Sequence, residues 1–430
     1  MKRKSNRPTS LQRTCSTRGI IAVLAVAVCG LTWSVPRWVD DAGAQAVPSV
    51  ATAQPTAGPL EPAYLNKVQS RLGLQLIALM SEKPNVEDNL IVSPASVAAV
   101  LALLDLGANG QMRTAMLKAL AFQDEPAGDG ARTFAALRAS MKLAQADAGG
   151  PLASANAMVF DPAAAPYPDM IAALAASGAE VTIARLDDSA TIARINAWVR
   201  QHTRDLIQSI IDQAPPEPGL VALNALHFKD RWKKAFDPAL TKPAPFRGHS
   251  GTAVEVPMMQ MDGSFRLRQD GAFVAVELPY AAERFRLVLV TTKGEPTRAA
   301  QFQEVADWLT GDGFEQHPGE ILLPRFGAGG SADLLDPLDA LGLKQGRSSP
   351  GSLSGLSRVA LSIAQILQRT EIRIDEAGTE AAAATAVTTT RAITSDFVKM
   401  TFDRPFLFGL RDTASGVVLL TGYVASPRAF

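Results

Sequence analysis

The run Glu376-Ala-Gly-Thr-Glu-Ala-Ala-Ala-Ala-Thr-Ala-Val387 has the residue types and spacing for one kind of chemistry, the addition of a strand to a sheet. Four consecutive alanines on their own favour a helix. The flanks favour a strand: Gly378 permits a bend, and Val387, Thr388, Thr389 and Thr390 are β-branched. At period two, Thr379, Ala381, Ala383, Thr385, Val387 and Thr389 share one face, with Glu380, Ala382 and Ala384 on the other. The first face carries nothing large or charged. It can therefore slide between existing strands, where backbone N–H and C=O groups do the binding.

Other chemistry is absent. No serine has a lysine three positions later, no Gly-x-Ser-x-Gly occurs, and no glycine is followed by lysine as a phosphate loop requires. His202, His227, His249 and His317 lack metal-ligand spacing, and no cysteine stands near them. The chain is expected to be neither an enzyme nor a holder of metal or cofactor.

Residues 1–44 resemble an export leader. Lys2, Arg3, Lys4, Arg7, Arg13 and Arg18 precede an apolar run from Gly19 to Trp33, shorter than the ~20 residues of a spanning helix. Ala42-Gly-Ala44 and Ala44-Gln-Ala46 offer small-residue cleavage sites. A cleaved signal peptide is preferred to a retained anchor, and Val28 beside Cys29 argues against lipidation there. Both cysteines, Cys15 and Cys29, fall in this leader, so the exported part has no disulfide and must be stabilised by packing. Removing its seven basic and two acidic residues from 42 of each leaves 35 basic and 40 acidic. That mildly acidic remainder argues against a nucleic-acid partner. With no Asn-x-Ser/Thr acceptor either, the composition points to a secreted protein, extracellular or in a bacterial periplasm, with no stable membrane span once matured.

Residues 45–61 are rich in Ala, Pro, Gly and Thr and read as a flexible linker. A folded domain of 62–430 follows, and a hydrophobic content of 47 % is enough for a large core. Leu65, Val68, Leu72, Leu76 and Met80 fall at helical spacing. Pro94 opens an apolar, buried helix reaching Leu106. Helical patterns recur at Phe134–Gln145, Met170–Ala176, Ala190–Arg200 and Leu334–Leu343. Strands are expected at Val221–Phe228, Val254–Met259, Phe265–Leu267, Phe273–Leu278 and Phe285–Thr291, and at Ala360–Ile374 leading into the small-residue run. A last hairpin, Phe406–Arg411 to Val417–Val424, turns through Asp412-Thr-Ala-Ser-Gly416. Helices first and strands later give the α+β class.

A family resemblance joins these pieces. Asn89-Leu-Ile-Val-Ser93-Pro94-Ala-Ser96 with Leu106-Gly-Ala-Asn-Gly110, Asn196-Ala-Trp198-Val199, and Asn224-Ala-Leu-His-Phe228-Lys-Asp-Arg-Trp232 occur in series. Val256-Pro-Met-Met259, Leu278-Pro-Tyr280, Leu323-Pro-Arg-Phe326 and Arg404-Pro-Phe-Leu-Phe408 continue it. Together with the hinge-like run, they resemble the serpins, the serine protease inhibitors, and in particular an inhibitory bacterial member.

The resemblance implies a single domain with three β-sheets, about eight or nine helices and an exposed reactive loop at about 376–396. It implies a monomer that traps a trypsin-like or elastase-like serine protease, with a cysteine protease as a second class. A non-inhibitory binding or scaffold serpin is the alternative. The hinge would be Glu376, Gly378, Thr379, Ala381, Ala382, Ala383, Ala384 and Thr385. Ser93, Ser96, Asn224, Gln368 and Trp232 would lie where the main sheet parts. Many serpins have a histidine eight residues before the hinge glutamate. Here Gln368 stands, able to donate and accept but never cationic. Counting sixteen residues on from Glu376 places the bait bond at Ala392–Ile393, whereas Arg391, the only basic side chain before Lys399, favours Arg391–Ala392.

Overall fold

The computed structural model describes residues 58–82, 89–122, 130–144, 150–215, 219–248, 253–379 and 397–427. Helices and short strands come first: α1 (Pro62–Ser81), β1 (Leu90–Val92), α2 (Pro94–Leu104), α3 (Gly110–Ala119) and α4 (Gly130–Ala144). Next are β2 (Leu152–Phe160), α5 (Pro168–Ala176), β3 (Glu180–Ile183), α6 (Ser189–His202) and β4 (Leu220–Phe228). A run of strands follows: β5 (Asp230–Arg231), β6 (Lys242–Arg247), β7 (Ala253–Asp270), β8 (Phe273–Pro279), β9 (Phe285–Thr292), β10 (Glu315–Pro324) and β11 (Phe326–Asp333). The remainder is α7 (Leu335–Ala340), α8 (Leu343–Arg347), β12 (Ile363–Ile374), β13 (Gly378–Thr379), β14 (Val398–Thr401), β15 (Phe406–Asp412) and β16 (Val418–Val424).

The α+β class expected from the pattern is the observed one, and the helix starts follow their caps. Ser93 accepts a hydrogen bond from the Ser96 amide, and Pro94 occupies the first turn of α2. Every residue of α2 is buried, as an all-round apolar helix requires. The helix expected over Leu334–Leu343 is broken after Ala340: Gly342 has φ +115°, which ends α7 and starts α8. The two segments Val254–Met259 and Phe265–Leu267 belong to one strand, β7. That strand pairs with β6 at its start, β10 along its middle and β8 at its end. Two of the three expected sheets are therefore hydrogen-bonded to each other through β7 as one nine-stranded network.

The remaining strands form the main sheet, in the order β3-β2-β4-β12, with β11 on the far side of β12. At its centre β4 and β12 run parallel, whereas β2 and β11 flank them antiparallel. Core packs on both faces of β4. Leu220, Ala222, Leu226 and Phe228 belong to the larger apolar cluster. Val221, Leu223 and Ala225 belong to a smaller one with Ile195 and Val199 of α6. Burial on both faces explains why β4 reads as an almost unbroken apolar run.

Candidate functional site

β4 and β12 pair from Leu220–Ile363 to His227–Glu371, with one register shift between Ile363 and Gln365, then separate. Beyond that point the inner edge of β12 passes to β13, where Ile374 pairs with Thr379. On its other side β13 pairs with β5, Gly378 with Arg231 and Thr379 with Asp230. Since β5 follows β4 after one residue, β13 lies between the two central strands where they part.

A tight turn makes this possible. Asp375 Oδ1 accepts from the amides of Ala377 (2.8 Å) and Gly378 (3.1 Å), and the Asp375 amide donates to the Gly378 carbonyl. Burial raises the Asp375 carboxyl above its ordinary range, against the two amides that stabilise its charge. Gly378 has φ +150°, and a Cβ there would clash with the Asp230 carbonyl and lie 2.7 Å from Arg231 Cα. No other residue type fits so close a backbone approach.

Side chains peg the turn from every direction. Trp232 donates its Nε1–H to the Asp375 carbonyl at 3.0 Å and its amide to the Ala377 carbonyl at 2.9 Å. The Phe236 amide donates to the Glu376 carbonyl. Glu376 is 5 % exposed and accepts from Arg325 Nε at 2.8 Å and from the Thr241 hydroxyl at 2.5 Å. Burial opposes its ionisation, but Arg325 and Thr241 outweigh that and hold its carboxyl below the ordinary glutamate range. Thr379 is 0 % exposed, and its hydroxyl meets that of Tyr280 at 2.7 Å. Tyr280 stacks on Trp232 at 4.5 Å and meets Phe228 edge-on at 4.9 Å. Burial pushes its phenol well up, so the hydroxyl keeps its proton at every physiological pH.

A second polar group crosses the sheet lower down. Gln368 Oε1 accepts from the Ser93 amide at 2.7 Å, and Nε2 donates to the Ser93 carbonyl at 3.0 Å. The Ser96 hydroxyl donates to Ser93 Oγ at 2.8 Å. Gln368 thus ties β12 to the start of α2 through one residue's backbone. Asn224 lies opposite Gln368 in register, but its Nδ2 donates sideways to Asn156 Oδ1 on β2 at 2.7 Å. No side-chain bond joins β4 to β12 at this pair.

Of the residues singled out from sequence, Glu376, Gly378, Thr379 and Trp232 meet at the sheet opening, and Ser93, Ser96 and Gln368 meet below it. Asn224 borders the second group without joining it. Ala381, Ala382, Ala383, Ala384, Thr385, Arg391, Ala392 and Ile393 lie outside the described residues. Trp198 is half-buried, packs against the smaller apolar cluster and lies 4.6 Å from the His202 ring in a tilted arrangement. The residues that hold the turn and β13 were missed: Tyr280, Arg325, Asp375 and Thr241. Tyr280 and Arg325 stood inside quoted motifs, but only spatial proximity reveals their partners. Among the described residues no group of three His, Cys, Asp or Glu is placed to hold a metal, and no helix is long and apolar enough to cross a membrane.

Comparison with known proteins agrees with this architecture. A family model described as "Serpin (serine protease inhibitor)" matches residues 67–427. Iripin-2 of Ixodes ricinus is 29 % identical over 378 residues, covering 85 % of this chain and 94 % of that protein. Leukocyte elastase inhibitor of Bos taurus is 28 % identical over 383 residues, covering 84 % and 99 %. The crystal structure of native protease nexin-1 with heparin is similar at a TM-score of 0.70 and 25 % identity, covering 85 % of this chain and 100 % of that one.

Proposed function

The chain belongs to the serpin family, matched over residues 67–427, and from that premise we propose that it is an exported suicide-substrate inhibitor of serine endopeptidases. Serpins act on serine proteases and are themselves not enzymes. The observation that carries the reading is the place of Thr379. It lies buried between Ile374 and Asp230, where the central strands part, and the residues that follow it at period two in the sequence are Ala381, Ala383 and Thr385.

In this mechanism the protease's serine oxygen attacks the bait carbonyl carbon. The peptide C–N bond breaks, the new amine leaves on the C-terminal fragment, and the bait residue stays on the serine as an ester. Free at one end, the loop continues from β13 as a strand between β4 and β12. One parallel junction becomes two antiparallel ones, and antiparallel pairing is the slightly more stable form. About ten new ladder hydrogen bonds at roughly 0.5–1.5 kcal/mol each supply on the order of 10 kcal/mol. The ester is trapped when insertion outruns its hydrolysis. Small inward side chains keep insertion fast.

Export rests on the basic-then-apolar residues 1–44, and a bacterial source on the absence of glycosylation acceptors and of cysteine beyond residue 29. Mixing the protein with a trypsin-like and an elastase-like protease tests the inhibitory reading. The expected result is a covalent complex that survives SDS. Cleavage of the loop with no complex for either enzyme would favour a non-inhibitory binding protein.

A further inference from the structure

The hinge shares Trp232 with a cavity that the mechanism above leaves unused. Its volume is about 430 Å³, within the range of small-molecule sites, and its walls come from the segment after β5 and from β7 to β10. Trp232, Phe265 and Leu278 give it an apolar wall. Four cations line it, Lys233, Lys234, Arg266 and Arg286, against two carboxylates, Glu277 and Glu283.

The local pairing does not cancel that excess. Lys233 and Glu283 neutralise each other at the exposed rim, 2.6 Å apart. Glu277, its side chain closed to solvent, is shared by Arg266 (3.0 Å), Arg286 (2.7 Å) and Arg411 (2.6 Å). One carboxylate thus faces three guanidiniums. Arg411 is the most enclosed of the three, whereas Arg266 and Arg286 retain exposure on the cavity side. Lys234 directs its ammonium to the Asp262 carbonyl at 2.6 Å, a neutral acceptor. Arg266 gives Nη1 to Glu277 and Nη2 to the Gly311 carbonyl, and Arg286 gives Nη1 to Glu277. Each guanidinium has five N–H donors, so their forks have donors to spare for planar or tetrahedral oxyanions.

We infer that this cavity binds a small organic anion with an apolar body, its oxyanion head on Arg266 and Arg286 and its body against Trp232, Phe265 and Leu278. The excess charge calls for an anion, and the apolar wall rules out a bare inorganic one as the best fit. The site stands independently of the inhibitory reading. An occupant would nonetheless rest against Trp232, whose two N–H groups hold Asp375 and Ala377 of the hinge.

Calorimetric titration of the full chain with naphthalene-1-sulfonate, and with the neutral naphthalene-1-sulfonamide as comparator, tests this. One saturable site is expected, about tenfold tighter for the sulfonate, as a charge-assisted pair requires. Arg286→Gln should weaken the sulfonate about tenfold. Ser264→Trp, on the exposed rim and clear of the charge cluster, should block binding while leaving the unliganded melting temperature unchanged. No saturable site, equal affinity for the sulfonamide, unchanged affinity in a folded Arg286→Gln, or unchanged affinity in Ser264→Trp would each overturn the inference.

Discussion

The hydroxyls of Tyr280 and Thr379 lie 2.7 Å apart where neither reaches solvent, so β13 is bonded to the residue that follows β8 of the other sheet. Arginine at position 379 would break that bond and force an unpaired charge into the site, costing several kcal/mol. We predict that Thr379→Arg is cleaved at the normal rate but yields little covalent complex. Thr379→Val keeps the volume and strands one hydroxyl, worth about 1–3 kcal/mol, and should shift the partition only in part. The ratio of complex to cleaved protein on a denaturing gel measures both. An unchanged ratio in Thr379→Arg would remove the insertion argument.

The pairing of Gln368 with both backbone groups of Ser93 predicts a pH effect that the natural chain avoids. A neutral imidazole can accept from one group and donate to the other, whereas the protonated ring can only donate. In Gln368→His the Ser93 amide therefore favours neutral imidazole and depresses its folded pKa below about 6.5. Stability from this contact is present above that value and lost as pH falls through the folded pKa. Melting temperatures should diverge from the natural protein by a few degrees between pH 7.5 and 5.5, an unsatisfied amide being worth about 1–3 kcal/mol. Parallel melting curves for the two proteins would refute this.

Cutting the loop should stabilise the molecule. The intact chain keeps β4 and β12 adjacent and parallel, and a severed loop is free to lie between them antiparallel to both. On the order of 10 kcal/mol from new ladder bonds outweighs the loss of one covalent constraint. Thermal melts before and after limited proteolysis should differ by tens of degrees. A cleaved form no more stable than the intact one would favour the non-inhibitory alternative.

The bait bond is predicted at Arg391–Ala392 for a trypsin-like enzyme, because a charge-paired pocket discriminates more strongly than a shallow one that accepts alanine. Mass spectrometry should find a C-terminal fragment of 39 residues, 392–430. A 38-residue fragment, 393–430, would identify Ala392–Ile393 instead. Arg391→Ala should abolish trapping of trypsin, and undiminished trapping would exclude Arg391 as the bait.

Much of this architecture was legible because its determinants are local. The apolar spacing of α1, the Ser93–Pro94 start of α2 and the unbroken apolar run of β4 announce themselves. Strand β2 does not: Leu-Ala-Ser-Ala-Asn-Ala-Met-Val-Phe is poor in β-formers, and its pairing with β4 all along its length organises it. The bend at Gly378 was readable, and Gly378 opens β13. Its anchors were not, since Glu376 lies 51 residues from Arg325 and 135 from Thr241 along the chain. Nothing in a sequence window links groups so far apart.

The two-residue strand β13 also bears on speed. Joining a free loop to a sheet normally begins with a slow search, because the first pairing fixes several residues for little return. Here that first rung exists before any protease arrives: Thr379 is already paired on both sides. Insertion, as proposed, would then resemble closing a zipper whose slider is already engaged. In the proposed mechanism its pace would be set by how readily β4 and β12 come apart, and Asn224 and Gln368 add no side-chain bond to hold that seam.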